Sequence, residues 1–102
     1  MANIVMTATN KALEHRRKKL KFRAWHRGIK EMDLILGRYA DENLGQMSSA
    51  QMDQFSILLK QADDELYTWV SGARPVPEEL DTDIMKTLKS FRMIPQDFTK
   101  ID

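Results

Sequence analysis

Apolar residues recur along this chain at intervals of three and four, and alternation with a period of two is nowhere sustained, so the pattern predicts helices and no strands. From Ile29 onward, Ile29, Met32, Ile35, Leu36, Tyr39 and Ala40 share one helical face, and Gly45 supplies a stop. The next start is the best marked. Ser48 followed three residues later by Gln51 forms a capping box, with Met47 and Met52 in the two places of a hydrophobic staple. Met52, Phe55, Leu58, Leu59 and Ala62 then make a buried stripe. Asp63, Asp64 and Glu65 put negative charge at the start of a short fourth helix, where they read as caps favoured by the helix dipole. Leu66, Trp69 and Val70 form its apolar side, and Gly72 ends it. Pro77 with Glu78 and Glu79 suits the first turn of a fifth helix carrying Leu80, Ile84, Leu88 and Phe91, which Pro95 stops.

The first helix is expected from about Asn10 to Trp25, with Leu13, Leu20 and Ala24 facing inward. Phe22 and Trp25 fall off that stripe, which leaves apolar surface exposed. The fold class is therefore all-α, a compact bundle of about five short helices. One domain spans residues 10–94, with a flexible N-terminus over 1–9 and a C-terminal tail over 95–102.

Composition narrows the chemistry. At 102 residues and 42% hydrophobic there is material for one core and no second unit. The absence of cysteine excludes disulfides and thiol nucleophiles. No apolar run approaches the roughly 20 residues of a membrane span, so membrane insertion is not expected. The N-terminus lacks a basic start and a long apolar stretch, so export is not expected either. The expected location is the cytoplasm of a bacterium, or the mitochondrial matrix if a transit peptide has been removed.

Charge is unevenly placed: residues 11–30 hold nine Lys or Arg against one acid, Glu14, for a local +8 in a chain of net charge +1. Arg16-Arg-Lys-Lys-Leu-Lys-Phe-Arg23, with Phe22 and Trp25 available for stacking, has the composition of a nucleic-acid patch. A basic helical nucleic-acid-binding module is thus the alternative function, set against a plain solvated helix face. Enzyme signatures are missing. No serine lies in a nucleophile elbow, and the four glycines form neither a dinucleotide fingerprint nor a P-loop. His15 and His26 stand eleven residues apart, about 16 Å along a helix, too far to hold one metal together without further ligands. Met32, Met52 and Met85 lie in helical stripes and read as core.

The junction Trp25-His-Arg-Gly-Ile-Lys-Glu-Met-Asp33 carries the most information. A basic helix ends at Arg27, and Gly28 permits a tight turn. With Gly28 as N-cap, Glu31 stands at the third helical position and closes half a capping box. Neither Arg27 nor Gly28 is expected in the core.

This junction resembles the Arg-Gly-x-x-Glu signature of the succinate dehydrogenase flavinylation factors, the assembly factor 2 type. The likeness extends through the basic lead-in from Arg16, Glu31-x-Asp33, Leu34-Ile-Leu36, Asp63-Asp-Glu-Leu-Tyr-x-Trp69 and Pro75-x-Pro77, about four-fifths of the chain. Where many members carry Arg or Lys before the motif arginine, this chain has His26.

The resemblance implies a five-helix assembly factor, not itself an enzyme. Its partner would be the flavoprotein subunit of succinate dehydrogenase, with fumarate reductase as a second candidate. It would promote covalent attachment of FAD to a partner histidine by positioning and electrostatics. Arg27, Gly28 and Glu31 are the implied partner-binding residues, flanked by Arg23 and Asp33. No catalytic, metal or stably bound cofactor site is expected, since FAD stays with the partner flavoprotein. The free protein is expected to be a monomer.

Overall fold

In the computed structural model, which describes residues 2–92, the chain forms α1 (Ala2–Trp25), α2 (Lys30–Asn43), α3 (Ser49–Leu59), α4 (Asp63–Val70) and α5 (Asp83–Arg92). Single 3-10 turns occupy Leu44–Gln46 and Glu78–Leu80, and no strand occurs among the described residues. The all-α fold expected from the periodicity is the one observed. Helix α1 ends at Trp25 as expected but starts at Ala2, eight residues before the expected Asn10. The expected tail over 95–102 lies outside the described residues.

Local signals account for several boundaries. The Ser48 hydroxyl accepts from the Gln51 backbone N–H at 3.1 Å and the Gln51 side chain accepts from the Ser48 N–H at 2.9 Å, so two otherwise orphaned donors at the start of α3 are satisfied. Met47 and Met52 are both buried beside this cap. Gly72, at φ 86°, ends α4 in the left-handed region that glycine adopts without steric cost.

Three expectations fail. Pro77 opens a 3-10 turn, closed by Leu80 N–H donating to the Pro77 carbonyl at 2.9 Å, and Asp81 leaves helical geometry at ψ 65°. Helix α5 begins only at Asp83, where the Thr82 hydroxyl accepts from Met85 N–H at 3.3 Å. Ala62 is exposed because the chain has already left α3 and turns there into α4. Gly28 is not the cap of α2, because Ile29 holds that place in extended geometry with no side-chain hydrogen bond.

Every helix contributes to one core. Leu20 and Ala24 of α1 lie over α2 and α3, while Met32, Met52 and Met85 are fully buried, as their spacing predicts. Tyr39 sits at the centre, with Phe55 and Phe91 each 5.7 Å away between ring centroids. Its hydroxyl bonds to Thr87 at the edge of the core. Near the end of α1 the Trp25 ring lies directly on Gly37, where a Cβ would stand only 2.2 Å from a ring carbon. The indole N–H donates to Asp41 at 3.2 Å, which holds the ring in that place.

Gly37→Ala therefore sets two effects against each other. Alanine gains roughly 1 kcal/mol in helix propensity, whereas overpacking typically costs about 1–3 kcal/mol. The contact distance is short enough that the ring must move, so overpacking wins and chemical denaturation should show a net loss. A variant more stable than the parent would mean that Trp25 does not rest on α2. Burial also holds the Tyr39 hydroxyl above its ordinary pKa of 10.0, with the Thr87 hydrogen bond acting in the opposite sense. A raised folded-state value means stability that is complete below the unfolded value and is lost as pH climbs beyond it. Melting temperature should fall above pH 10, and Tyr39→Phe should flatten that part of the profile.

Candidate functional site

The junction between α1 and α2 is held by a single side chain. Arg27 turns its guanidinium inward, where the side chain is only 10% exposed, and the Asp63 side chain opposite is 15% exposed. Its Nε donates to one Asp63 oxygen at 2.7 Å, one terminal nitrogen donates to the Leu59 carbonyl, and the other to the Gln61 carbonyl at 2.8 Å. The second Asp63 oxygen accepts from Gly28 N–H at 2.8 Å. One carboxylate thus grips both residues of the Arg-Gly pair.

The placement follows from helix ends. Leu59 is the last residue of α3, so its carbonyl has no partner within the helix, and a cation there is favoured by the dipole. Asp63 is the first residue of α4, where an anion is favoured for the same reason. Arg27 and Asp63 therefore neutralise each other while each complements the helix end it touches. The expectation that Asp63 caps α4 needs correction: Ala62 is the N-cap, with no side-chain bond, and the Asp63 carboxylate points across to the junction.

Arg27 stays outside the core as expected, but its side chain is turned inward and largely covered. Its backbone N–H donates to the Asp33 carboxylate of α2, so the turn is tied on both sides. Asp33 and Arg23 are half-buried, and Arg23 donates to the Ser56 hydroxyl at 3.4 Å. Gly28, Ile29, Lys30 and Glu31 are exposed. Glu31 stands at the second helical position of α2, one short of the capping-box place, and accepts from the Tyr67 hydroxyl at 3.4 Å. At Gly28 a Cβ would meet the Asp63 carboxylate at 3.2 Å, tighter than an ordinary contact. The structure thus separates the five candidates: Arg27, Asp33 and Arg23 engage the fold, while Gly28 and Glu31 face outward.

Asp63 is the residue that sequence reasoning missed. An acid at a helix start is common enough to hide a pairing made 36 residues away, and its partner carbonyls at Leu59 and Gln61 are invisible to side-chain patterns. His26 is exposed, stacked on Phe22 with 3.9 Å between ring centroids, and its Nδ1 lies 2.6 Å from the Phe22 carbonyl. Among the described residues no three His, Cys, Asp or Glu side chains are grouped to hold a metal.

A family model described as "Flavinator of succinate dehydrogenase" matches residues 18–92, which takes in both residues of the clamp, Arg27 and Asp63. The chain belongs to this family. A succinate dehydrogenase assembly factor 2, mitochondrial, from Dictyostelium discoideum is 34% identical over 77 residues, 76% of this chain and 55% of that protein. An FAD assembly factor SdhE from Acetobacter pasteurianus is 36% identical over 76 residues, 74% of this chain and 70% of its own length. A succinate dehydrogenase assembly factor 2-A, mitochondrial, from Drosophila yakuba is 35% identical over 82 residues. The chain spans 51% of the Drosophila protein, about half the length of such mitochondrial relatives.

The Arg27–Asp63 pair is a structural clamp with a measurable signature. Removing one partner of a largely buried ion pair costs about 3–5 kcal/mol, because the other charge is left uncompensated. Arg27→Ala and Asp63→Ala should each lose stability in that range by urea denaturation. The double variant should lose distinctly less than the sum, since no isolated charge remains. Strictly additive losses would mean that the two side chains do not act as a pair.

Proposed function

We propose that this protein is an assembly factor that binds the flavoprotein subunit of succinate dehydrogenase and promotes covalent attachment of FAD to it. The observation that carries this is the family match over residues 18–92, supported by relatives named as succinate dehydrogenase and FAD assembly factors. The corresponding subunit of fumarate reductase is a second candidate partner of the same chemistry. The work takes place where such relatives are found, in a bacterium or in mitochondria. Among the described residues no helix is long and apolar enough to cross a membrane. The nucleic-acid alternative draws no support from the family or from the relatives' names.

The outward turn is the contact surface in this proposal. Gly28 and Glu31 meet the partner, with Ile29 and Lys30 between them. Arg27 and Asp33 are positioning residues that fix the backbone of the turn, and Arg23 steadies its α1 side against α3. Such a pre-set turn loses little conformational entropy on docking, which is how a small factor contributes affinity and orientation without supplying a reactive group.

Flavin itself does not suit this turn. Gly28 N–H is the glycine amide that a phosphate would seek there, and it is already taken up by the Asp63 carboxylate. In this proposal FAD stays with the partner, and the free factor is a monomer that holds none stably. The protein is not an enzyme by itself in this proposal.

Glu31 tests the assignment with little risk to the fold, because it is exposed and makes one long hydrogen bond. Glu31→Ala should change folding stability by no more than about 0.5 kcal/mol. The same variant should lower covalent flavin in the co-expressed flavoprotein several-fold, read as in-gel flavin fluorescence. Glu31→Gln should do nearly the same if the carboxylate meets a cation across the interface. Full flavinylation with both variants would place Glu31 outside the contact, and full flavinylation without the factor would remove the function.

A further inference from the structure

The nine cations between residues 11 and 30 read as one basic patch, but the fold divides them. Arg16 pairs with Asp53, Lys21 with Asp41 at 3.3 Å, and Arg27 with Asp63. Arg17 donates to the Leu44 and Met47 carbonyls at 3.1 and 3.0 Å. These side chains tie α1 to the helices beneath it. Lys18 and Lys19 lie on the opposite side of α1, exposed and without an ion pair among the described residues.

Phe22 stands between these two lysines. It follows Lys18 by four residues and Lys19 by three, so both side chains flank its ring on the helix surface. At 63% exposure it is the most exposed large hydrophobic among the described residues, and its stack on His26 holds the ring in one orientation. Together with His15 and Arg23 these residues line an open concavity of about 460 Å³ whose walls are mainly apolar. An oriented aromatic ring at the centre of a positive rim has the anatomy of a protein-binding hot spot, with the apolar anchor supplying affinity and the charges steering approach.

We infer that this outward face of α1 docks an acidic segment of the flavoprotein partner, which sets an apolar side chain against Phe22 and its carboxylates toward Lys18 and Lys19. The identity of the partner rests on the proposed function; its chemistry rests on the charge and shape of the face. A protein segment fits better than a nucleic acid. Duplex binding of useful strength draws on roughly 6–10 phosphate contacts, and Arg16, Arg17 and Lys21 of this helix are already engaged within the fold. Through His26 the face continues into the turn at Gly28, so one partner can cover both.

The test is titration calorimetry with the purified flavoprotein subunit lacking covalent FAD, using Phe22→Ala and the double variant Lys18→Glu with Lys19→Glu. All three positions are exposed, so melting should stay unchanged. Each variant is expected to bind about tenfold more weakly than the parent, the range that separates an anchor from a bystander. The parent's affinity should fall more steeply with salt than that of the double variant. Parental affinity in both variants would overturn the inference and leave the flavinylation function standing, whereas no binding by the parent would overturn both. Binding of a DNA duplex by the parent at about 0.15 M salt, lost in the double variant, would reassign the face to nucleic acid and overturn the inference as well.

Discussion

The ion pair between Arg27 and Asp63 is the constraint on which the rest of the junction depends. A guanidinium offers its donors in a fixed plane, and here that plane is filled by one carboxylate and two main-chain carbonyls. Because the carbonyls belong to the end of α3 and the loop after it, and the carboxylate to the start of α4, the pair locks the α1–α2 turn onto the α3–α4 turn. A lysine could not do the same work, since its single ammonium cannot span three acceptors in one plane. The exposed residues of the turn are displayed by what lies beneath them.

A second close approach sets the angle between the first two helices. Trp25 rests on Gly37 and is held by Asp41, which also pairs with Lys21. Removing the side chain at position 37 brings α2 within reach of an indole ring that would otherwise stand off by the width of a Cβ. The junction that follows Trp25 therefore starts from a fixed point, and the four residues before α2 have little freedom left. Helix packing on one side and the arginine clamp on the other converge on the same short loop.

The charge of α1 shows how a fold redistributes what composition presents as uniform. Cations on the inner edge serve as tethers to α2 and α3, and their contribution to any external field is largely cancelled by Asp53, Asp41 and Asp63. Among the described residues, Lys18 and Lys19 on the outer edge have no ion pair, and they lie beside an exposed aromatic ring. The helix is thus two-sided in chemistry as well as in hydropathy.

Much of the fold was legible in the sequence because its determinants are local. Three-and-four spacing, the Ser48–Gln51 box and Gly72 depend only on residues within a turn of one another, so the five helices and most of the core could be read directly. Even local chemistry misled where two local solutions compete: Pro77 suits an α-helical start and a 3-10 turn equally, and the Thr82 cap decided between them. The Arg-Gly-x-x-Glu pattern also marked the junction, and with it the family. What only the tertiary structure decided is the work each junction residue does. Arg27 turned inward to meet Asp63 and the Leu59 and Gln61 carbonyls, which lie some 32 to 36 residues away along the chain, and no local pattern encodes a partner that folding alone brings near.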